Sequence, residues 1–416
     1  MQLKPAFSLT PLVLCLAAGS AHADLSPYSF GASETIQHQS NIDHGPGNGP
    51  GDWLSTTELR GGLDQPLGRD ELKANVAIDF NRYKNFHRRN ATGYLASTEF
   101  DWSLPADLSG SFGAETRRRQ YVYGLNGEAL GGSGGSDQRN LETDNHFYAR
   151  GQIGGESRWT LYGGLDATNR RYSLASFSGN DERQWSGNVG TRYATSPDLS
   201  FSLQASYSHG EYPNFQQQAG GPVVDDTFSM RSYDLVTNYV ASGNSKLDAS
   251  VGFTTQTSDI QSARHFVNGS LNWTWTPPSH FNVRVGLARD SDADTDAVNV
   301  SFNPNGINGR SINNVAHADI GYELTAKVSL DLLAQYTQRK YSNAVLPVLD
   351  AQGKPQVANG TNNTRRVYLS AHYQPTRTTD LSCGAGREIR RSHVSGDLTP
   401  GYTDNTVQCV AAIDFK

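Results

Sequence analysis

The feature that most constrains this chain is a two-residue alternation of apolar and polar side chains that recurs along most of its length. The clearest segment is LKANVAIDF at residues 72–80. Its leucine, valine, isoleucine and phenylalanine share one face, and its lysine, asparagine and aspartate share the other. A period of two is the period of a β-strand that has one face in an apolar environment and the other in water. The pattern therefore predicts amphipathic strands.

The chain contains 18 such segments, of which the first spans residues 28–42 and the last 403–415. Between them we find no convincing helix and no linker that would separate two domains. An even number of strands is what a bacterial single-chain outer-membrane barrel requires. The sequence thus predicts an all-β fold, a single antiparallel transmembrane β-barrel of about 18 strands that occupies residues 24–416.

The connections between these segments alternate between short and long. The short connections include QPLGRD (65–70), PADLS (105–109), TSPDL (195–199) and PTRTT (375–379), and the long ones include HGPGNGPG (44–51), residues 209–226 and residues 343–363. Membrane barrels have short periplasmic turns and long external loops, so this alternation is expected of them. A soluble sandwich or propeller has no reason to keep it.

The composition agrees with a barrel and excludes other classes. Hydrophobic residues make up 36% of the chain, and its mean hydropathy is −0.57. Apart from the N-terminus, no segment approaches the roughly 20 apolar residues of a membrane-spanning helix. A barrel is polar on average because only alternate strand residues face lipid. The net charge of −6 argues against nucleic acid as a partner.

The N-terminus predicts export. Residues 1–23, MQLKPAFSLTPLVLCLAAGSAHA, combine a basic start, an apolar stretch and a small-x-small cleavage site at Ala21-His22-Ala23, as in a cleaved secretory signal peptide. Phe415 lies on the apolar face of the last segment, and a terminal aromatic residue there resembles the outer-membrane assembly signal. We therefore expect a location in the bacterial outer membrane, with membrane lipid and the barrel assembly machinery as partners.

Motifs that carry chemistry are sparse. The sequence lacks HExxH, GxSxG, P-loop and CxxC patterns, which predicts a protein that is not an enzyme and has no cofactor or metal. His317, Asp319 and Glu323 share one strand face, and we interpret them as polar residues facing the lumen. Ser111 and His146 have no third residue that would make them a catalytic set.

Two cysteines, Cys383 and Cys409, lie in the last two segments on the apolar face. The oxidising compartment permits a cross-strand disulfide between them. The alternative is a pair of free thiols that act as small apolar residues toward the lipid. The sequence leaves both open.

The polar face is where we expect function, because it lines the interior of the barrel. Its charges have both signs and are interleaved with aromatic rings, which suits a hydrated, hydroxyl-rich solute better than a single ion. The alternative is a lumen that is merely solvated and braced by ion pairs. The candidate lumen residues are Glu58, Arg60, Lys73, Asp79, Glu99, Asp101, Glu115, Arg117, Arg119, His146, Tyr148, Arg150, Asp166, Arg192, Arg284, Asp319, Asp331, Arg339, Arg366, Tyr368, His372 and Glu388.

A family resemblance rests on residues 54–119 and on the C-terminus. Its elements are LDQPLGR (63–69), NRYKNF (81–86), NATGY (90–94), the arginine run 117–119 and the closing GYTDNTVQC (401–409). These resemble the outer-membrane β-barrel family of exopolysaccharide-biosynthesis operons, the EpsL type. The resemblance implies an outer-membrane barrel that works with polysaccharide and with periplasmic proteins of an export system.

Three functional hypotheses follow. The first is a channel, or a channel-like component, through which an exopolysaccharide passes without a chemical step. The second is a general diffusion porin unconnected with secretion. The third is an outer-membrane enzyme that modifies lipid or glycan, which would need a constellation of catalytic residues at one rim that we do not find in the sequence.

Overall fold

The structure is a computed structural model of the full chain. It describes residues 26–121, 138–155, 157–217, 223–260, 262–290, 311–349, 355–395 and 400–416. The expected signal peptide at residues 1–23 lies outside the described residues. Apart from strands, the described residues form two short 3₁₀ helices, His87–Arg89 and Ala175–Asn180, and no helix among them is long and apolar enough to cross a membrane.

Eighteen strands make up the rest of the regular structure. They are β1 (Tyr28–Gln39), β2 (Asp52–Leu67), β3 (Asp70–Tyr83), β4 (Ala91–Leu104), β5 (Leu108–Gln120), β6 (Leu141–Ile153), β7 (Trp159–Tyr172), β8 (Glu182–Ser196), β9 (Leu199–Gln217), β10 (Val223–Ser242), β11 (Ser245–Ser258), β12 (Arg264–Trp275), β13 (Phe281–Asp290), β14 (Ser311–Thr325), β15 (Val328–Leu349), β16 (Pro355–Tyr373), β17 (Thr379–Val394) and β18 (Tyr402–Phe415).

All 18 strands belong to one sheet in which each strand pairs antiparallel with its neighbours in sequence. The sheet closes on itself because β1 pairs with β2 on one side and with β18 on the other. The closing register runs from Phe30 opposite Phe415 to Gln39 opposite Thr406. The predicted fold, a single antiparallel barrel of 18 strands, is confirmed.

The connections sort to the two ends of the barrel. The turns that follow the even-numbered strands are short, such as residues 68–69 and 243–244, and they share one end with the start of β1 and the end of β18. The connections that follow odd-numbered strands lie at the other end and are generally longer. The orientation of bacterial barrels places the short turns in the periplasm and the long connections outside.

The outer face of the barrel is apolar. Phe30, Leu165 and Leu203 are 65%, 64% and 63% exposed, respectively. Such a surface would be unfavourable in water, whereas it matches the lipid-facing band of a spanning barrel. Aromatic rings border this band: Trp159 packs on Tyr193 near the short turns, with ring centroids 4.6 Å apart. The six tryptophans all lie near strand ends.

Four strands extend beyond the band and correct the predicted boundaries. Residues 209–226 and 343–363 were expected to be long loops, but β9, β10, β15 and β16 run far into them. The alternation is lost there because these parts of the strands lie outside the membrane, where neighbouring residues no longer face lipid and water in turn. Prolines such as Pro213 also favour a loop interpretation, although an unpaired edge or a bulge accommodates proline within a strand.

The structure decides the question left open by the cysteines. Cys383 in β17 lies directly opposite Cys409 in β18, and the two form a disulfide. Their Cα atoms are 4.1 Å apart, and 26 residues separate them in sequence. The bond crosses between neighbouring strands on the lipid-facing side.

A single arginine substitution should affect the stability of the barrel differently on the two faces of β16. Leu369 lies midway along the apolar band and is 55% exposed, so Leu369→Arg should lower the free energy of unfolding by about 2–4 kcal/mol. Ser370→Arg, one residue away on the inner face, should lower it by less than about 1 kcal/mol. Urea unfolding in phospholipid vesicles measures both, and equal losses would contradict the assigned faces.

Removing the disulfide should destabilise the barrel. A disulfide that closes a loop of this length lowers the conformational entropy of the unfolded chain and so stabilises the folded state by about 3 kcal/mol. Reduction should therefore shift the urea midpoint downward. The Cys383→Ala/Cys409→Ala variant should match the reduced protein and ignore the reductant. If oxidised, reduced and doubly substituted proteins unfold at the same urea concentration, the bond contributes nothing to stability.

Candidate functional site: the barrel lumen

The strand register fixes which side chains enter the lumen, because successive residues of a strand point to opposite faces. In β3, for example, Val76 and Ile78 are exposed on the outer face, and Lys73 and Asp79 therefore face inward. By the same parity, the structure places all of the candidate lumen residues on the inner face, from Glu58 on β2 to Glu388 on β17.

The inner wall from β18, across β1, to β4 is lined by paired charges. Arg60 donates hydrogen bonds to Asp414 at 2.8 and 2.6 Å and forms an ion pair with Glu58 at 3.1 Å. Lys73 contacts the carboxylate of Asp101 at 2.9 Å. These side chains are only partly buried, so water screens the pairs and each adds little stability. They give the wall fixed charges of both signs.

A denser cluster continues this wall on β5, β6 and β7. Arg170 contacts Asp144 at 2.7 Å and Glu142 at 3.5 Å, and Arg119 contacts Glu142 at 3.1 Å. Of these four residues, only Arg119 was a candidate from sequence. Arg170, Glu142 and Asp144 lie on the same polar faces as the neighbouring candidates, so the alternation itself was the signal that could have found them.

Several other candidates form local pairs. His146 contacts Asp166 at 3.0 Å, and Arg150 lies 3.9 Å from the same carboxylate. Tyr148 donates a hydrogen bond to Glu99. These contacts join β4, β6 and β7 and hold the side chains against the wall.

The remaining candidates are dispersed around the circumference. His372 lies 3.6 Å from Asp331, and Arg339 donates a hydrogen bond to Asn313 at 3.0 Å. Arg192 donates to the hydroxyl oxygen of Thr160 at 3.0 Å. Three pairs of inner-face candidates lie directly opposite one another in the strand register: Glu115 and His146, Arg284 and Asp319, and Arg366 and Glu388.

The residues weighed for catalysis or metal binding do not converge. Ser111 lies opposite Arg150, and His146 lies opposite Glu115, so no serine–histidine pair forms. His317 faces Gly286 across the β13–β14 ladder. Among the described residues there is no group of three or more His, Cys, Asp or Glu side chains that could hold a metal ion.

A second part of the lumen wall, on β9 to β12, is made mainly of hydroxyl and amide side chains. We call it the neutral wall, and its residues are Ser202, Gln204, Ser206, Ser208, Ser232, Asn238, Ser250, Thr254, Asn268, Ser270 and Asn272. Ser250 and Ser270 share a hydrogen bond of 2.8 Å, and Ser232 and Thr254 share one of 2.5 Å. The carboxylates beside these residues are also paired: Asp234 accepts a hydrogen bond from Asn268 at 2.9 Å, and Asp248 forms an ion pair with Lys246 at 2.9 Å.

None of the residues of the neutral wall is among the candidates predicted from the sequence. Its signal was present in LSFSLQASYSHG (199–210), where serine or glutamine occupies every second position. Uncharged hydroxyl and amide groups both donate and accept hydrogen bonds. This part of the lumen can therefore interact with the hydroxyl groups of a neutral solute.

Tyrosine rings lie flat against the inner wall. Tyr368 covers Gly384 and Gly386 of the next strand, where an added Cβ atom would lie 2.5 Å from the ring at either position. Tyr148 covers Gly113 in the same way, with its hydroxyl oxygen 2.5 Å from such an atom. The glycines let the rings lie along the wall, so the rings do not project across the lumen.

At the external end, the connection between β1 and β2 packs on inner-face side chains. Asn41 is fully buried and donates hydrogen bonds to the carbonyl oxygens of Gly45 and Thr403. The ring of His44 lies 4.6 Å from that of Tyr402, measured between centroids. Asp43, also in this connection, forms a buried ion pair with Arg89.

The upper part of β15 reaches across the mouth. The β15–β16 register shifts between Tyr341 and Ala344, and Asn343 has a positive φ of 49°. Beyond this irregularity, Val345 packs on a buried cluster of Tyr212, Phe215, Phe228 and Met230 from β9 and β10. β15 is not a neighbour of β9 in the sheet, so this contact narrows the external opening.

The 3₁₀ helix Ala175–Asn180 also packs at the external mouth, where it contacts both β9 and β15. Its Phe177 is buried against Tyr121 and Tyr172. The Asp181 carboxylate at its end accepts a hydrogen bond from the backbone N–H of Tyr172 at 2.8 Å. Burial raises the pKa of Asp181 above its ordinary value, and that hydrogen bond opposes the shift.

Comparisons with known proteins locate the fold without assigning a family. No protein-family model matches the chain, and no curated protein matches it in sequence. Solved structures with a similar fold include the outer membrane protein OpdK from Pseudomonas aeruginosa, at 12% identity and a TM-score of 0.50. The match covers 93% of this chain and 98% of that one.

The ferric enterobactin receptor PfeA is similar to the same degree. Its identity is 10% and its TM-score 0.50, with 94% of this chain and 82% of the receptor covered. At such low identity the likeness shows the fold alone. This chain has the fold of an outer-membrane β-barrel, the architecture of channels and transport receptors.

The contact across the mouth should restrict conduction. Val345→Asp places a charge against the apolar cluster around Phe215, where burying an unpaired carboxylate is unfavourable, so the hairpin should move away from β9. We expect a larger or more often open conductance in planar bilayers. Val357→Asp, on β16, adds the same charge at a position that is 44% exposed and should change little. Unaltered conductance in the Val345 variant would show that the contact does not limit passage.

Proposed function

We propose that this protein is an outer-membrane channel component of an exopolysaccharide secretion system, in which a hydrophilic polymer passes along the lumen without chemistry. The observation that carries the proposal is the neutral wall. Its half-exposed residues, among them Ser206, Asn238 and Asn272, offer hydrogen bonds to sugar hydroxyls without binding through charge. Several weak and replaceable contacts suit a polymer that must slide.

The charged wall complements the neutral one. Most of the arginines and lysines on the inner face of β2 to β7 are paired with carboxylates, such as Arg60 with Asp414 and Lys73 with Asp101. Paired charges stay hydrated and present no continuous field of one sign, so they attract neither anions nor cations strongly. A neutral or weakly charged polymer is the solute that such a lumen obstructs least.

Two further features support secretion rather than free diffusion. The motifs at residues 54–119 and 401–409 resemble the EpsL-type barrels of exopolysaccharide operons. The mouth is also narrowed by the contact of Val345 with the β9–β10 cluster, as expected of a channel that opens only for its cargo. Under this proposal the short turns face the periplasmic proteins of the export system.

A general diffusion porin is the second candidate. Its support is the likeness to the outer membrane protein OpdK, whose chain is covered over 98% of its length, together with the hydrated lumen. The two candidates differ in the resting state of the channel. A porin conducts without a partner, whereas a secretion channel should remain mostly closed.

Bilayer recordings and a deletion strain distinguish these candidates. We expect the purified protein to show mostly closed channels, and the deletion strain to lose surface polysaccharide. A permanently open, weakly selective pore together with unchanged surface polysaccharide would identify a diffusion porin.

A paired substitution tests the neutral wall itself. Asn238→Leu/Asn272→Leu replaces two half-exposed amides with apolar groups of similar size, so complementation of the deletion strain should restore several-fold less surface polysaccharide than the wild-type chain does. Asn75→Leu makes the same change on the charged wall and should complement normally. Equal complementation by both variants would remove the neutral wall from the proposal.

A further inference from the structure

The outer face of the barrel carries its strand lysines and arginines at one end. In the described strands, each lysine or arginine that points outward lies in the half nearer the long connections, whereas those near the short turns point inward. The outward cations are Arg82, Arg118, Arg171, Arg183, Arg231, Arg289, Lys340, Arg365, Arg387 and Arg391. They form a belt at the external edge of the apolar band.

Three members of this belt are adjacent. In the β16–β17 ladder, Arg365 lies opposite Ile389, and Arg387 and Arg391 lie two residues to either side of Ile389. Diagonal neighbours of this kind have their Cβ atoms about 7–8 Å apart or less. We call Arg365, Arg387 and Arg391 the arginine patch.

Within the part of the chain that the structure describes, the arginine patch has no acidic partner. All three residues are exposed, and none belongs to an ion pair found among the described side chains. Arg387 lies opposite Val367 and the amide Asn405, and Arg391 lies opposite the amide Asn363. Elsewhere in the belt, Arg183 is neutralised by Glu211 at 3.1 Å. Three neighbouring like charges repel one another unless an anion lies between them.

Beside and below the patch, the same strands present an apolar surface. Val367 and Leu369 on β16 are 50% and 55% exposed, and Leu381 on β17 is 40% exposed. An anion that fits both surfaces has a charged head at the membrane edge and hydrocarbon chains alongside the barrel. The external level of the patch places that head in the outer leaflet.

We propose that the arginine patch binds the phosphate of a phosphorylated, acylated glycolipid of the outer leaflet. Guanidinium groups donate paired hydrogen bonds to phosphate oxygens, which suits such a headgroup. The acyl chains lie along Val367, Leu369 and Leu381. The site is separate from the lumen and does not depend on what passes through it.

A second copy of this chain is a less suitable occupant. It would have to supply outward carboxylates, and two of those on the described strands already have partners. Glu34 accepts hydrogen bonds from Ser55 at 2.5 Å and Thr57 at 2.6 Å. Glu211 pairs with Arg183.

The test measures binding of bisphosphorylated lipid A to the full-length protein in detergent, by native mass spectrometry or fluorescence. The variant Arg365→Gln/Arg387→Gln/Arg391→Gln should bind on the order of tenfold more weakly or worse, since each arginine near an anionic headgroup contributes to binding. The control Arg82→Gln/Arg171→Gln/Arg231→Gln removes the same charge from scattered positions of the belt and should bind nearly as the wild type does.

Two further binding measurements distinguish a phosphorylated lipid from free phosphate as the ligand of the patch. Dephosphorylated lipid A should bind the wild-type protein as weakly as bisphosphorylated lipid A binds the glutamine variant, and inorganic phosphate at equal concentration should not compete. Competition by inorganic phosphate would assign the patch to a free anion and overturn the lipid assignment.

Folding of each variant is checked by the heat-dependent electrophoretic mobility of the barrel. A variant with lysine at all three positions keeps the charge and should keep most of the binding. Unchanged lipid binding by the glutamine variant would overturn the proposal, and so would conversion of a wild-type oligomer into a monomer, which would make the patch a contact between copies.

Discussion

The pairing of β1 with β18 is the contact on which the rest of the structure depends. Hydrocarbon offers no hydrogen bonds to a peptide group, so each backbone N–H and C=O within the apolar band needs a partner in the sheet. An open sheet of 18 strands would leave two unpaired edges in lipid. The ladder from Phe30 and Phe415 to Gln39 and Thr406 removes both edges.

Closure divides the side chains between two solvents. The outer set, of which Leu203 is typical, is stabilised by lipid, and the inner set by water and by mutual pairing. Glu34 is a charged residue on the outer face, and it shows the same constraint. Its carboxylate lies within the band and accepts hydrogen bonds from the hydroxyls of Ser55 and Thr57. A polar group directed toward lipid is retained only with such partners.

The same partition explains why the sequence predicts the middle of each strand better than its ends. The expected segment 403–415 agrees with β18, Tyr402–Phe415, because lipid and water select alternate residues there. Above the membrane that selection ends, and the extensions of β9, β10, β15 and β16 carry no alternation. Their stability comes from pairing with the neighbouring strand and from the cluster around Phe215, neither of which leaves a local pattern.

The sequence by itself determined the class of fold, the strand number and the inward residues such as Arg60 and Glu388, because a period of two is a local property of the chain. Only the tertiary structure decided which of these residues meet. The Cys383–Cys409 bond, the contact of Val345 with β9 and the adjacency of Arg365 to Arg387 all depend on the register between strands. Register is set by closure of the whole barrel, so no single segment of the sequence contains it.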